Sequence, residues 1–214
     1  MIRLHHVPQA RSFRILWLLE ELGLTYDLVE YSFFDKSLRS EAYVNISPAG
    51  RVPALEFEGR AIFESGAITQ VLCAAKGALT GLPGERVDWL EWLHFGETIA
   101  AHIANLTQHH IVLRDDQMRS PTVMRLEAAR LEKTLAVVAR GLTGPYLLAS
   151  GFSAVDIVVS YGALIGQRFV ALDGMPRLRD WLARLAERPA FQRAVAREGA
   201  AQIYTRAFYP APQT

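Results

Sequence analysis

The chain has 214 residues, half of them apolar and about a fifth charged, which suits one large or two modest globular domains and argues against disorder. Its 23 basic and 22 acidic side chains give a net charge of +1, so no strong overall field would attract nucleic acid or an anionic membrane. The single cysteine, Cys73, cannot form an internal disulfide, and the first six residues lack the apolar segment of a signal peptide. No apolar stretch reaches the ~20 residues that span a bilayer, so we expect a cytoplasmic protein without a transmembrane segment.

Two hydrophobic periodicities alternate in the first eighty residues. Residues 2–6 predict a strand that Pro8 ends, and apolar residues spaced three and four apart over 15–22 predict a helix that Gly23 ends. Further elements follow in the same region: a strand at 26–31, a helical turn at 40–44, a hairpin of strands 54–57 and 60–63, and a helix at 65–76. The order β-α-β-α-β-β-α favours a small mixed sheet with helices on its faces.

Only the helical periodicity follows the glycine- and proline-rich linker predicted at 78–86. Apolar stripes predict long amphipathic helices around 89–103 and 131–142. Between Phe152 and Ile157, Ser153 as N-cap and Asp156 three residues later form a capping box, which begins a buried helix.

Two more helices, at 176–187 and 189–204, each open on proline, and the tail 209–214 is expected to fray. The change from two periodicities to one predicts two domains, residues 1–77 before the linker and 87–214 after it. The predicted fold class is therefore α/β plus all-α.

Four segments occur together in an order typical of one family. They are RILWLLEELG at 14–23, NISPAGRVPAL at 45–55, FESGAI at 63–68 and SAVD at 153–156. Together they resemble the cytosolic glutathione S-transferase family, in particular its bacterial, theta-like members with a catalytic serine, over essentially the whole chain. The resemblance implies a thioredoxin-like N-terminal domain, a C-terminal helical bundle that carries the electrophile site, and a homodimer.

The resemblance also implies a glutathione site in the first domain. A cis peptide before Pro53 would turn the N–H and C=O of Val52 outward, where the cysteinyl unit of glutathione pairs with them as an added strand. The helix start at Ser65 would receive the γ-glutamyl carboxylate, Glu64 the ammonium group, and Arg51 the glycine carboxylate. Each residue also has a plainer interpretation without a ligand. Pro53 would be an edge-strand proline and Ser65 a helix cap, while the charges of Glu64 and Arg51 would only be solvated.

Ala10 occupies the position at which the serine-type relatives carry the hydroxyl that activates the thiol. Alanine has no donor, so this sequence departs from the family at the residue most tied to chemistry. Ser12 is the first candidate to stabilise the thiolate and Arg11 the second, with the backbone N–H groups at the helix start as a third source. The alternative for Ser12 is a hydroxyl that only caps the helix, and the alternative for Arg11 is a solvated surface charge.

These residues predict a glutathione transferase that uses glutathione as co-substrate and conjugates it to a small hydrophobic electrophile, with peroxide reduction as a second reaction of the same thiolate. Because of Ala10, a glutathione- or ligand-binding homologue with little turnover stays open. The side chains expected to line the electrophile site lie on one helix: Trp92, Phe95, Glu97, Ile99, His102 and Ile103.

No metal site is predicted. The histidine pairs at 5–6 and 109–110 lack a cysteine or carboxylate partner at ligand spacing. Cys73 lies among apolar residues of a predicted helix, where we expect a buried thiol that packs as a small hydrophobic group.

Overall fold

The computed structural model describes residues 1–212, and these residues divide into two compact units. The first comprises Met1–Thr80 and Ala186–Ile203, and the second comprises Gly81–Leu185 and the residues from Tyr204 onward. Residues 213 and 214, the end of the predicted tail, lie outside the described residues. The second stretch of the first unit, Ala186–Ile203, was predicted to belong to the helical domain. The predicted domain boundaries at 77 and 87 stay a prediction.

Regular elements alternate along the first eighty residues and are helical afterwards. The strands are β1 (Arg3–His6), β2 (Asp27–Glu30), β3 (Ala54–Phe57) and β4 (Arg60–Phe63). The α-helices are α1 (Ser12–Glu21), α2 (Glu41–Val44), α3 (Ser65–Lys76), α4 (Arg86–Thr107), α5 (Pro121–Gly141), α6 (Ala154–Gly166), α7 (Pro176–Ala186) and α8 (Pro189–Glu198). The predicted order of strands and helices in the first eighty residues is confirmed.

A mixed four-stranded sheet forms the centre of the first unit, in the order β2-β1-β3-β4. β1 pairs parallel with β2 and antiparallel with β3, and β3 pairs antiparallel with β4. The turn of the β3–β4 hairpin holds Glu58 and Gly59 at φ angles of 49° and 77°. Positive φ at both central residues is what a tight two-residue hairpin requires, so the predicted hairpin is confirmed.

Helix α1 packs against β1, α3 and α8 within the first unit. Phe191 of α8 lies edge-on against Trp17 of α1, with ring centroids 4.8 Å apart. Arg188, just before α8, forms a two-pronged ion pair with Glu21 at 2.6 and 2.8 Å. Apolar packing and ion pairing together attach the late segment of the chain to the first helix.

The prediction of a helix from 189 to 204 is wrong in its second half. Helix α8 ends at Glu198, and Gly199 takes φ 84° and ψ −170°, a backbone conformation that continues no helix and favours glycine. The residues that follow are irregular up to the end of the described chain. Gly199 is present in the sequence, but the prediction relied on the spacing of apolar residues, which extends beyond this glycine.

In the second unit, helices α4 and α6 approach so closely that two glycines are needed. A Cβ atom on Gly96 would lie 2.5 Å from Cγ1 of Val158, and one on Gly162 would lie 2.7 Å from Cγ2 of Ile99. Such separations are well inside van der Waals contact, so a larger residue would push the helices apart. Among residues 1–212, no helix has the length and apolarity needed to cross a bilayer.

The predicted capping box at the start of α6 is confirmed. Asp156 is completely buried, and its carboxylate accepts hydrogen bonds from the N–H groups of Leu147 at 3.0 Å and Ser153 at 2.9 Å. The indole of Trp181 in α7 donates to the same carboxylate at 3.1 Å. One side chain therefore caps α6 and ties it to a loop and to α7.

The expectation that the tail frays is wrong for Tyr209. Its side chain is buried, its N–H donates to the carbonyl of Arg168 at 2.7 Å, and its ring contacts Phe169 with a centroid distance of 5.5 Å. Aromatic packing holds this part of the tail against the second unit.

Candidate functional site

A cleft in the first unit collects residues from three separate loops. Its volume is about 60 Å³. The lining residues are Arg11, Ser47, Ala49, Arg51, Val52, Pro53, Phe63, Glu64 and Ser65. All five residues predicted to bind glutathione lie in this cleft, together with Arg11. Ser12 does not line it.

The loop before β3 presents an unpaired peptide unit to the cleft. The Val52–Pro53 bond is cis, as the family resemblance implied. Among residues 1–212, neither the N–H nor the C=O of Val52 has a hydrogen-bond partner. The preceding carbonyl, that of Arg51, accepts from the hydroxyls of Tyr43 and Ser47, each at 2.8 Å. The Arg51 carbonyl is thus fixed within the loop, while the N–H and C=O of Val52 stay open to an extended ligand.

The start of α3 forms an anion-binding feature. Glu64, before the helix, has φ 73°, a conformation that is costly for a residue with a side chain and that clusters at functional sites. The first backbone bond of the helix joins the N–H of Ile68 to the carbonyl of Glu64, so within the described chain the N–H groups of Gly66 and Ala67 have no partner. These amides and the helix dipole favour a negatively charged group.

Arg14 supports the same feature from beneath, which the sequence reasoning missed. Its guanidinium is completely buried, and Nη1 donates to Oγ of Ser65 at 3.2 Å. A buried positive charge behind a helix start strengthens the attraction for an anion. The sequence feature that could have indicated this role is the position of Arg14 next to the apolar residues of the stretch RILWLL. This stretch served only as a family motif in the prediction.

The charges around the cleft suit a zwitterionic ligand. Arg11, at the N-cap position of α1, and Arg51 supply two guanidinium groups, and Glu64 supplies a carboxylate. A ligand with more than one carboxylate and one ammonium group would find an opposite charge for each.

Ser12 is buried and is not among the residues that line the cleft. The side chain is completely buried, and Oγ accepts from the N–H of Val7 at 3.2 Å and lies 2.8 Å from Nδ1 of His6. Burial lowers the pKa of His6 to about 4, so its ring is neutral at pH 7. The Ser12 hydroxyl also lies 3.3 Å from the carbonyl of Val7, to which it can donate. These bonds join Ser12 to the end of β1 and the loop that follows it, and its role in stabilising a thiolate stays a prediction.

Two buried groups of the first unit give opposite pH dependences of stability. The pKa of His6 is lowered from 6.5 to about 4 by burial, so its contribution is full above pH 6.5 and is lost as the pH falls towards 4. The pKa of Glu198 is raised from 4.5 to about 7 by burial, so its contribution is full below pH 4.5 and is lost as the pH rises towards 7.

We expect Glu198→Gln to gain stability relative to the wild type as the pH rises from 4.5 to 7.5, by about 2–3 kcal/mol, because the variant never has to bury a charge there. Denaturant unfolding at a series of pH values measures this difference. A free-energy difference that stays constant across the range would contradict the prediction.

The second unit accounts for several residues predicted to line an electrophile site. His102 Nδ1 lies 2.8 Å from Oε2 of Glu127, a buried carboxylate of α5 that also accepts from Arg130 Nη1 at 2.6 Å. Ile99 packs against Gly162, and Ile103 is buried. These contacts join α4 to its neighbours, and the electrophile site stays a prediction.

Cys73 is buried, as predicted, and burial raises the pKa of its thiol to about 12. It is therefore a packing group and not a reactive thiolate. Within residues 1–212, no cluster of three histidine, cysteine, aspartate or glutamate side chains is arranged to hold a metal ion.

The fold class defined above is a thioredoxin-like domain with a helical C-terminal domain, and known proteins share it. Residues 1–72 match the family "Glutathione S-transferase, N-terminal domain". Glutathione S-transferase 4 of Zea mays is 30% identical over 188 residues, which cover 83% of each chain.

Solved structures agree with this assignment. The ternary complex of BphK, a bacterial GST, is 27% identical, covers 92% of this chain and 100% of that one, and superposes with a TM-score of 0.78. A glutathione transferase from Pseudomonas putida, solved with one glutathione disulfide bound per subunit, is 24% identical over 92% of each chain, with a TM-score of 0.81. The chain belongs to the glutathione S-transferase family. The predicted family and fold class are confirmed, and the theta-like branch stays a prediction.

Proposed function

We propose that this protein is a glutathione transferase whose first unit binds glutathione in the cleft and activates its thiol for conjugation to a small hydrophobic electrophile. The observation that carries the proposal is the unpaired peptide unit of Val52, which lies in a cleft with two guanidinium groups, a carboxylate and a helix start. Glutathione is a short peptide with two carboxylates and one ammonium group, so its backbone and its charges all find a partner there.

The cysteinyl unit pairs with the Val52 backbone as a short added strand. Its N–H donates to the Val52 carbonyl and its C=O accepts from the Val52 N–H, which gives a pairing that does not depend on side chains. This pairing fixes where the sulfur lies relative to the loop that precedes α1.

The γ-glutamyl group occupies the start of α3. Its carboxylate accepts from the Ser65 hydroxyl and the open amides that follow, while the buried Arg14 adds its charge from beneath. Its ammonium group pairs with the exposed Glu64. The glycine carboxylate at the other end pairs with Arg51.

Arg11 takes the role that a serine hydroxyl has in the serine-type relatives. It lines the cleft at the N-cap position of α1, where its charge and the helix dipole both favour a thiolate. The ionised sulfur attacks the electrophilic carbon, a C–S bond forms as the leaving group departs with its electron pair, and the thiol proton goes to solvent. Reduction of a hydroperoxide to an alcohol, with oxidation of two glutathione molecules to the disulfide, is proposed as a second reaction.

A glutathione- or ligand-binding homologue with little turnover is the second candidate. It is favoured by Ala10, which has no donor, and by the Ser12 hydroxyl, which is committed to His6 and Val7. Binding without a conjugation rate above the uncatalysed one, over a broad panel of electrophiles, would support this candidate. For either function we propose a homodimer in the cytoplasm, as the family resemblance implies.

Calorimetric titration with reduced glutathione tests the binding site directly. We expect Ser65→Ala to raise the dissociation constant about 10-fold or more, since a hydrogen bond to a charged group is worth about 1.5–3 kcal/mol. The matched control is Thr122→Ala, which removes an exposed hydroxyl from α5 of the second unit. Equal affinities for the two variants would contradict the assigned site, and a wild type that binds no glutathione would refute the proposed function.

A further inference from the structure

The loop between β1 and α1 carries Arg11 and has an unusual backbone. Gln9, two residues before Arg11, has φ 62°, in the left-handed region that residues with a side chain rarely occupy. Such a conformation is unfavourable for a residue with a side chain and persists only where the surroundings enforce it. The contacts of Gln9 should therefore show what fixes the loop.

Two hydrogen bonds join Gln9 to the end of α8 and the segment that follows it, nearly two hundred residues later. The N–H of Gln9 donates to Oε1 of Glu198 at 2.7 Å, and the side-chain Oε1 of Gln9 accepts from the N–H of Ile203 at 2.9 Å. A Cβ atom on Gly199 would lie 3.8 Å from Cγ of Pro8, in ordinary contact with the same loop. Residues 198–203 thus run along the loop and bind it at two points.

The inner side of the loop is held separately. The N–H of Val7 donates to Oγ of Ser12, and Oγ also lies 3.3 Å from the carbonyl of Val7. These bonds fix the first residue of the loop to the first residue of α1. At the middle of the loop, Gln9 bonds to Glu198 and Ile203.

We propose that Glu198 is a positioning residue for the thiol-activating loop: by accepting from the Gln9 N–H it holds Arg11 and the start of α1 in the orientation that stabilises the glutathione thiolate. This role rests on the proposed function. Glu198 does not line the cleft, and it acts only through the loop.

The chemistry of Glu198 suits such a role. Burial raises its pKa to about 7, so near pH 6.5 most molecules carry a neutral carboxyl that still accepts from Gln9 and places no full negative charge near the loop. Glutamine reproduces this form in size and as an acceptor. Alanine removes the acceptor.

The experiment is a spectrophotometric titration, near 240 nm, of the thiolate of glutathione bound to the wild type, Glu198→Ala and Glu198→Gln. For Glu198→Ala we expect the pKa of the bound thiol to rise by about one unit or more and kcat at pH 6.5 to fall about 10-fold, with the KM for glutathione changed less than about 3-fold. For Glu198→Gln, the pKa of the bound thiol should stay within half a unit of the wild-type value and kcat within about 2-fold. Glu187→Ala, an exposed carboxylate between α7 and α8, is the matched control.

Either of two results would overturn the proposal. One is a thiol pKa in Glu198→Ala equal to that of the wild type, and the other is an equal rise in thiol pKa and fall in kcat in Glu198→Gln and Glu198→Ala. If Glu198→Ala does not fold by circular dichroism, Glu198→Met replaces it, because methionine fills a similar volume and removes the carboxyl that accepts from the Gln9 N–H. An unchanged thiol pKa in Glu198→Met would then overturn the proposal. Calorimetry on the wild type separates these outcomes from failure of the proposed function, which would show as no binding of glutathione.

Discussion

Arg11→Met is expected to lower kcat for conjugation about 10- to 100-fold and to raise the pKa of the bound glutathione thiol towards its free value of ~8.5. Arg11 lines the cleft at the N-cap position of α1, and neither Ala10 nor the buried Ser12 offers a hydroxyl in its place. Removal of the guanidinium leaves only backbone amides to stabilise the thiolate. Steady-state kinetics with a chloronitrobenzene and the 240 nm titration measure both effects.

Two further variants make this test specific. Arg11→Lys keeps the charge but loses the planar guanidinium, so we expect an intermediate thiol pKa. Arg60→Met removes an exposed arginine of β4 that does not line the cleft, and it should leave kcat unchanged. If the thiol of the Arg11→Met complex titrates as in the wild type, Arg11 is not the thiolate stabiliser.

Asp156→Ala is expected to destabilise the protein by about 3–5 kcal/mol. The completely buried carboxylate accepts from two backbone N–H groups and from the indole of Trp181, and alanine would leave these donors buried without an acceptor. Such a loss is a large part of the ~5–15 kcal/mol by which most proteins are stable. Denaturant unfolding followed by circular dichroism gives the value.

The companion variant Asp156→Asn keeps one carbonyl acceptor of the same size. It should lose less stability than Asp156→Ala, because part of the hydrogen bonding survives. Equal stability of Asp156→Ala and the wild type would show that the buried donors find other acceptors, which would contradict the role assigned to the carboxylate.

Features encoded by neighbouring residues were predicted well. The β3–β4 hairpin depends on Glu58 and Gly59, and the start of α6 depends on Ser153 and Asp156, three residues apart. Turn and capping chemistry involves backbone groups close in the chain, so the sequence carries the whole signal. The residues at 51–53 and 64–65 lie together in the cleft, as the family resemblance implied from two short motifs, and their binding of glutathione stays a prediction.

Features that depend on distant residues were not predicted. Nothing near Gln9 indicates that Glu198 and Ile203 bind it, and nothing near Ser65 indicates that Arg14 lies beneath it. For the same reason, the sequence did not show that the Ser12 hydroxyl lies 2.8 Å from Nδ1 of His6. Side-chain direction and long-range pairing are fixed by packing, which apolar periodicity does not report.

The packing of α8 on α1 has a consequence for synthesis of the protein. Phe191 and Arg188, which contact Trp17 and Glu21, are made long after them, and Arg188 follows Glu21 by 167 residues. On the ribosome, the first unit therefore begins with one face of α1 uncovered and becomes complete only when residues 186–203 emerge. A unit whose strands are translated early thus finishes folding late.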